Sequence, residues 1–179
     1  MMKRSMNVLL LPLLLPLAAF AVYTGAQPAR AKTEIKPIPL SAYEVYSLYR
    51  NKTWQWPTGG ARFTAHDRKL VAFVNDKGKR SFAEGNWYVS DLGMMCMQAK
   101  WTALDGSGPA RTCFGHSKIG DTIYQRRVPN GEWYVFKHAK PKPGDEYRKL
   151  VASDAITEKA LRLKDQYLVK KSGRTATGG

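Results

Sequence analysis

Met94-Met95-Cys96-Met97-Gln98-Ala99-Lys100-Trp101 and Arg111-Thr112-Cys113-Phe114-Gly115-His116 are the two runs that decide the fold. A turn-forming stretch, Leu104–Pro109, separates them. With that turn centred between the cysteines, Cys96 faces Cys113, Met97 faces Thr112, Met95 faces Phe114 and Gln98 faces Arg111. Side chains alternate across a strand. Met95, Met97, Ala99, Trp101 and Phe114 therefore share one apolar face, and Cys96, Gln98, Lys100, Arg111 and Cys113 share the opposite one. A half-buried sheet needs that division. The two cysteines are the whole complement of the chain. An isolated pair outside the cytosol forms one disulfide, here a staple on the outer face of a hairpin.

The same β-type patterning extends both ways. Runs at Thr53–Trp56, Ala61–Thr64, Lys69–Val74, Ser81–Val89, Thr122–Val128 and Trp133–Lys137 join the central two to make eight short strands. Between them lie Thr58-Gly59-Gly60, His66-Asp67-Arg68, Asn75-Asp76-Lys77-Gly78 and Asn130-Gly131, with Asn-Gly a strong hairpin signal. Eight short strands at near-regular spacing predict a mainly-β fold, an antiparallel meander closing into a small barrel or a sandwich, calycin-like in outline. Ser41-Ala42-Tyr43-Glu44 is a capping box that opens a helix of about two turns, with Leu40 and Val45 placed for a hydrophobic staple. Residues 154–168 predict a second helix, with Asp154 as its N-cap and Ile156, Ala160, Leu161, Leu163 and Leu168 as apolar positions. An extended strand near Tyr147–Val151 is expected to precede it. The domain is thus expected over 41–168, with a basic, disordered tail at 169–179.

The amino terminus carries the three parts of an export signal. Lys3 and Arg4 precede an uncharged apolar run from Val8 to Val22, and Ala29-Arg30-Ala31 then offers an A-x-A cleavage site; Ala26 is a second choice. The run falls short of the roughly 20 residues of a spanning helix and is broken by Pro12 and Pro16, so no transmembrane span is expected in the mature protein. The leader contains no lipoprotein-type cysteine and no Arg-Arg pair. Residues 1–31 read as a signal peptide and 32–40, with Pro37 and Pro39, as an extended linker. The expected location is the periplasm or the medium. Loss of Lys3, Arg4 and Arg30 takes the formal charge from +15 to +12. An exported cation of this strength meets acidic polysaccharide, phospholipid headgroups or other envelope polyanions.

Glu84-Gly85-Asn86-Trp87-Tyr88-Val89 returns as Asn130-Gly131-Glu132-Trp133-Tyr134-Val135. This echo suggests that each glycine makes a turn or bulge before a strand and that the indoles pack the interior. Taken in order, Trp54, Gly59-Gly60, Phe63, Gly85-x-Trp87-x-Val89, Gly93-x-x-Cys96, Trp101, Cys113-Phe114-x-His116, Gly120-Asp121 and Trp133-Tyr134 resemble an uncharacterised secreted family of Gram-negative bacteria, domain of unknown function 995. The resemblance covers roughly residues 40–155. It implies a periplasmic or secreted location, a single domain and a structural cysteine pair, and it brings no activity.

Chemistry-bearing motifs are sparse. His66, His116 and His138 show no metal-ligand spacing, and no nucleophile elbow, P-loop or dinucleotide fingerprint occurs, so no metal and no cofactor are implied. His116 should share the Phe114 face, where a hydrogen-bonded sheet histidine is the expected role and a ligand or catalytic role the alternative. Glu84 and Glu132 read as turn-flanking residues rather than a glycosidase pair. Cations interleave with aromatics at Arg62-Phe63, Lys100-Trp101, Tyr124-Gln125-Arg126-Arg127 and Trp133-x-x-Phe136-Lys137. Export removes nucleic acid as a partner, and the same chemistry suits sugars: rings stack on pyranoses and Arg binds carboxylate or phosphate. Core aromatics alternating with surface cations give the same string. Trp54, Arg62, Trp87, His116, Arg126 and Trp133 are the candidate ligand-binding residues. The expected function is a non-enzymatic envelope module binding an anionic glycan or lipid. The alternatives are a small periplasmic enzyme acting on wall or polysaccharide and a protein-partner or inhibitor module.

Overall fold

The structure, a computed structural model, describes residues 36–176, with side chains to Lys170. The expected leader and the start of the linker lie outside the described residues. The chain begins with β1 (Ile38–Pro39), α1 (Ala42–Tyr49), β2 (Lys52–Trp56), β3 (Gly59–Phe63), β4 (Lys69–Asp76) and β5 (Lys79–Val89). It continues through β6 (Met94–Ala103), β7 (Gly106–Ile119), β8 (Thr122–Val128), β9 (Tyr134–Lys137), β10 (Leu150–Val151) and α2 (Thr157–Ala176). Short 3-10 turns occupy His66–Arg68 and Glu146–Lys149.

The strands form one antiparallel sheet, ordered β10-β2-β3-β4-β5-β6-β7-β8-β9, with β1 added alongside β7. The mainly-β meander is as expected. It curls into a half-barrel whose edge strands β9 and β10 are not hydrogen-bonded to each other. Residues 138–149 carry the chain from one edge to the other. Pro141 and Pro143 lack the N–H that a further ladder strand would need. Buried Asp145 holds this segment by accepting from His138 N at 3.0 Å and Lys142 N at 2.9 Å. Tyr147 then packs edge-on against Phe136 of β9, and Glu146 accepts from the Trp54 indole N–H of β2 at 2.8 Å.

β6 and β7 pair in the expected register: Met95↔Phe114, Cys96↔Cys113, Met97↔Thr112 and Gln98↔Arg111. The strands run further than predicted, to Ala103↔Gly106, leaving Leu104-Asp105 as a two-residue turn. Cys96 and Cys113 are bonded on the convex face. The concave face holds the main core, including Trp54, Phe63, Leu70, Trp87, Met95 and Phe136. α1 fills it, with Val45 and Tyr49 fully buried. Its capping box is closed: Ser41 Oγ accepts from Glu44 N at 3.3 Å, and Ser41 N donates to Glu44 Oε2 at 2.8 Å. Leu40 and Val45 are both buried in the same cluster, as the staple requires.

α2 lies on the convex side, where Ala160, Leu163 and Tyr167 meet Phe82, Val71 and Phe73. Asp154 caps it through Thr157 N at 3.0 Å. Three expectations need correction here. The helix continues to Ala176, into the stretch read as a disordered tail. Leu161 and Leu168, read as apolar-face positions, are exposed, because Ala160, Leu163 and Tyr167 take the inward places. Gly85 makes no turn; it sits inside β5, where a Cβ would stand 2.5 Å from the Ala99 Cα of β6.

The disulfide closes a loop with a sequence separation of 17, which in the chain-entropy model contributes about 3 kcal/mol. A Cys96→Ala/Cys113→Ala variant should lose about that much in urea unfolding; an unchanged midpoint would show that the hairpin stands without its staple.

Candidate functional site

Burying Tyr49 brings a hydroxyl into the core, and a buried polar atom needs partners. The facing strands supply them. Gln125 of β8 and His116 of β7 are directly opposed in the ladder and both point inward. Gln125 Nε2 donates to the Tyr49 hydroxyl at 2.6 Å and to His116 Nε2 at 2.8 Å. The Tyr49 hydroxyl also lies 2.9 Å from His116 Nε2. At the other side of the ring, Nδ1 sits 3.0 Å from the Gly93 carbonyl, which can only accept. This fixes the neutral tautomer with its proton on Nδ1 and leaves Nε2 as the acceptor. Tyr134, half-exposed on β9, reaches in to donate to Gln125 Oε1.

The electrostatics follow from this burial. Desolvation pushes the His116 pKa down to about 4, against the opposing effect of its backbone bonds with Gly93 and Phe114. Desolvation also raises Tyr49 well above the usual phenol range, and raises Tyr134 to about 12, with Glu146 adding to the effect. None of these groups is poised to exchange a proton near neutrality. Gly93 is required by the close approach of two backbone segments: its φ is +72°, and a Cβ there would stand 2.2 Å from the His116 carbonyl.

The six candidate residues fall into three places. Trp54, Trp87 and His116 are interior; the Trp87 indole donates to the Thr64 carbonyl at 2.9 Å and stacks on Tyr46. Arg62 is on the convex face, its guanidinium donating to the Ala152 carbonyl at 2.9 Å and lying 3.7 Å from Asp154, so it clamps the approach to α2. Arg126 and Trp133 meet outside, the guanidinium 5.0 Å from the indole centroid. Trp133 is 45% exposed and lies over Gly115. The echo had placed this indole inside, like Trp87. It lies outside because it precedes β9, whereas Trp87 lies within β5. Glu84 and Glu132 are not brought together: Glu84 binds Lys164 of α2 at 2.8 Å, and Glu132 is exposed beyond β8.

Sequence reasoning missed Tyr49, Gln125 and Tyr134. In the sequence Tyr49 is only a further apolar residue at helical spacing from Val45, and Gln125 only a residue between Tyr124 and Arg126. Among the described residues, no group of three His, Cys, Asp or Glu side chains could hold a metal ion. No helix among them is long and apolar enough to cross a membrane. A groove of about 670 Å³ runs between α2 and the β5–β6 strands, and none of the six candidates lines it.

Fold and site together define a disulfide-stapled antiparallel half-barrel, filled by its own helix and a buried Tyr-His-Gln network. The chain belongs to the family described as "Protein of unknown function (DUF995)", whose model matches residues 17–156. That match includes α1 and all ten strands and stops just before α2. No curated protein and no solved structure matches the chain.

His116 gives a signed pH effect. Its pKa falls from 6.5 to about 4 on folding, so above pH 6.5 both states are neutral and stability is complete. As pH falls from 6.5 toward 4, the unfolded chain takes a proton that the native state refuses. Stability then drops by about 1.4 kcal/mol per pH unit, to a loss of about 3 kcal/mol. Urea unfolding between pH 7.5 and 4.5 should show this extra slope in the wild type and not in His116→Gln; equal slopes would contradict it.

Proposed function

We propose that this protein is an exported, non-enzymatic envelope module that binds an anionic glycan. The carrying observation is the pair Arg126–Trp133. Trp133 is 45% exposed, so the indole surface that the guanidinium leaves uncovered offers a platform for a pyranose ring, and the guanidinium keeps donors for a carboxylate or phosphate. No carboxylate among the described residues lies within 4 Å of Arg126. The high positive charge supplies long-range attraction for such a ligand. Export rests on the leader-like amino terminus and accords with the Cys96–Cys113 disulfide, a bond of oxidising compartments.

The enzymatic alternative needs a histidine or carboxylate facing an open pocket. His116 is engaged on both ring nitrogens and is 1% exposed, which argues against that role. An anionic lipid surface would satisfy the same cations, and the experiment includes it.

Retention on immobilised polygalacturonate, and co-sedimentation with phosphatidylglycerol vesicles, should be measured at low and at physiological salt. The full chain should bind the polysaccharide at low salt and weaken as salt screens it. Arg126→Ala/Trp133→Ala should reduce affinity by roughly tenfold, on the scale of losing one stacking and one charged contact. Absence of binding to either surface, or binding indifferent to this pair, would overturn the proposal.

A further inference from the structure

A second cation–aromatic cluster lies away from Trp133, where the α1–β2 junction meets the β3–β4 turn. Arg50 and Arg68 share one ring: their guanidinium carbons lie 5.8 Å and 4.2 Å from the Tyr46 centroid. Arg68 also lies 5.0 Å from the Trp87 ring, and Tyr46 and Trp87 are stacked at 5.6 Å. Neither arginine has a carboxylate within 4 Å among the described residues. The neighbouring acid, Asp67, is paired with His66 at 3.1 Å.

The backbone is shaped to hold these two side chains. Asn51, Asp67 and Arg68 all have positive φ (55°, 51° and 51°), a sparsely populated region for residues other than glycine. Cross-ties fix both turns. The Asn51 side-chain carbonyl accepts from Ala65 N at 2.9 Å, joining one turn to the other. Asn86 Nδ2 donates to the carbonyls of Asp67 at 3.1 Å and Arg68 at 3.4 Å. Stacking on a ring occupies the face of a guanidinium and leaves its N–H edge for an acceptor. Two such edges on one aromatic support suit a tetrahedral dianion, which can accept bidentate bonds from each. Tyr43, one helical turn before Tyr46, is 72% exposed and adds an open ring beside them.

We infer that Arg50 and Arg68, carried on Tyr46, form a binding site for a phosphomonoester, such as a sugar phosphate or the phosphate headgroup of a lipid. This shares with the proposed function only the premise of an anionic ligand, and it uses different residues.

The test is calorimetric titration of the full chain at low salt with glucose 1-phosphate, with glucuronate as the carboxylate comparison. Vesicles of phosphatidylcholine containing phosphatidic acid present the same phosphomonoester on a lipid. Binding of either phosphate probe should weaken roughly tenfold in Arg50→Ala and in Arg68→Lys, since lysine keeps the charge without the bidentate edge. Arg50 is exposed, so its truncation should leave the melting temperature near wild type. Arg126→Ala/Trp133→Ala should leave phosphate affinity unchanged, which separates failure here from failure of the glycan platform. Response to glucose 1-phosphate assigns a soluble source, and response to the vesicles alone assigns a lipid one. Glucuronate binding as tight as the phosphate, or phosphate binding unaffected in both arginine variants, would overturn the inference.

Discussion

The structure depends on covering the concave face of a sheet that curls without closing. Ten strands with unbonded edges leave an apolar trough, and α1 is the cover. Its last residue, Tyr49, contacts Trp54, Phe63, Phe136 and His116 at once. A phenylalanine would serve the packing equally well, but a tyrosine adds a hydroxyl that must be paired. His116 and Gln125 are there as its partners, and Tyr134 completes the set from outside. The network therefore specifies how α1 seats. A chain of satisfied bonds in a dry core is informative about registration and poor in chemistry.

Holding α1 in place also explains the crowded segment at residues 38–44. β1 pairs with β7, Leu40 N donates to the His116 carbonyl at 3.2 Å, and Ala42 N donates to Asp91 at 3.1 Å. Glu44 completes its capping box and also takes Lys118 at 2.6 Å; that lysine and the Ser41 bonds hold its carboxyl down to about 2. The helix has only eight residues, too few to persist without such anchors. With the interior occupied in this way, what stays open at the surface includes the exposed cation–aromatic pairs and the groove beside α2.

Local grammar made much of this fold legible. The Cys96–Cys113 pairing was readable because alternation on both sides of one turn allowed a single register in which the apolar residues shared a face. The capping box at Ser41 was readable because it needs only four consecutive residues. What escaped needed long-range partners. Tyr49 and Gln125 are 76 residues apart, and nothing local marks either as polar core. Trp133 and Trp87 share a sequence echo, yet one is exposed and the other buried, because the ladder sets the face and the echo does not. Arg50 and Arg68 came from a helix end and a turn, and only folding placed both over Tyr46. Leu168 marked the predicted end of α2, yet the helix continues, since the basic residues beyond it disfavour burial and not helix.

The interior of the half-barrel is filled by its own side chains, and the proposed recognition is therefore exterior. Nitrogen-15 NMR of the full chain, titrated with an acidic polysaccharide, tests it at individual residues. The Trp133 indole N–H should shift while the Trp54 indole and the His116 ring stay unmoved. Shifts confined to Trp54 and His116, with Trp133 silent, would contradict it and place the ligand inside the half-barrel.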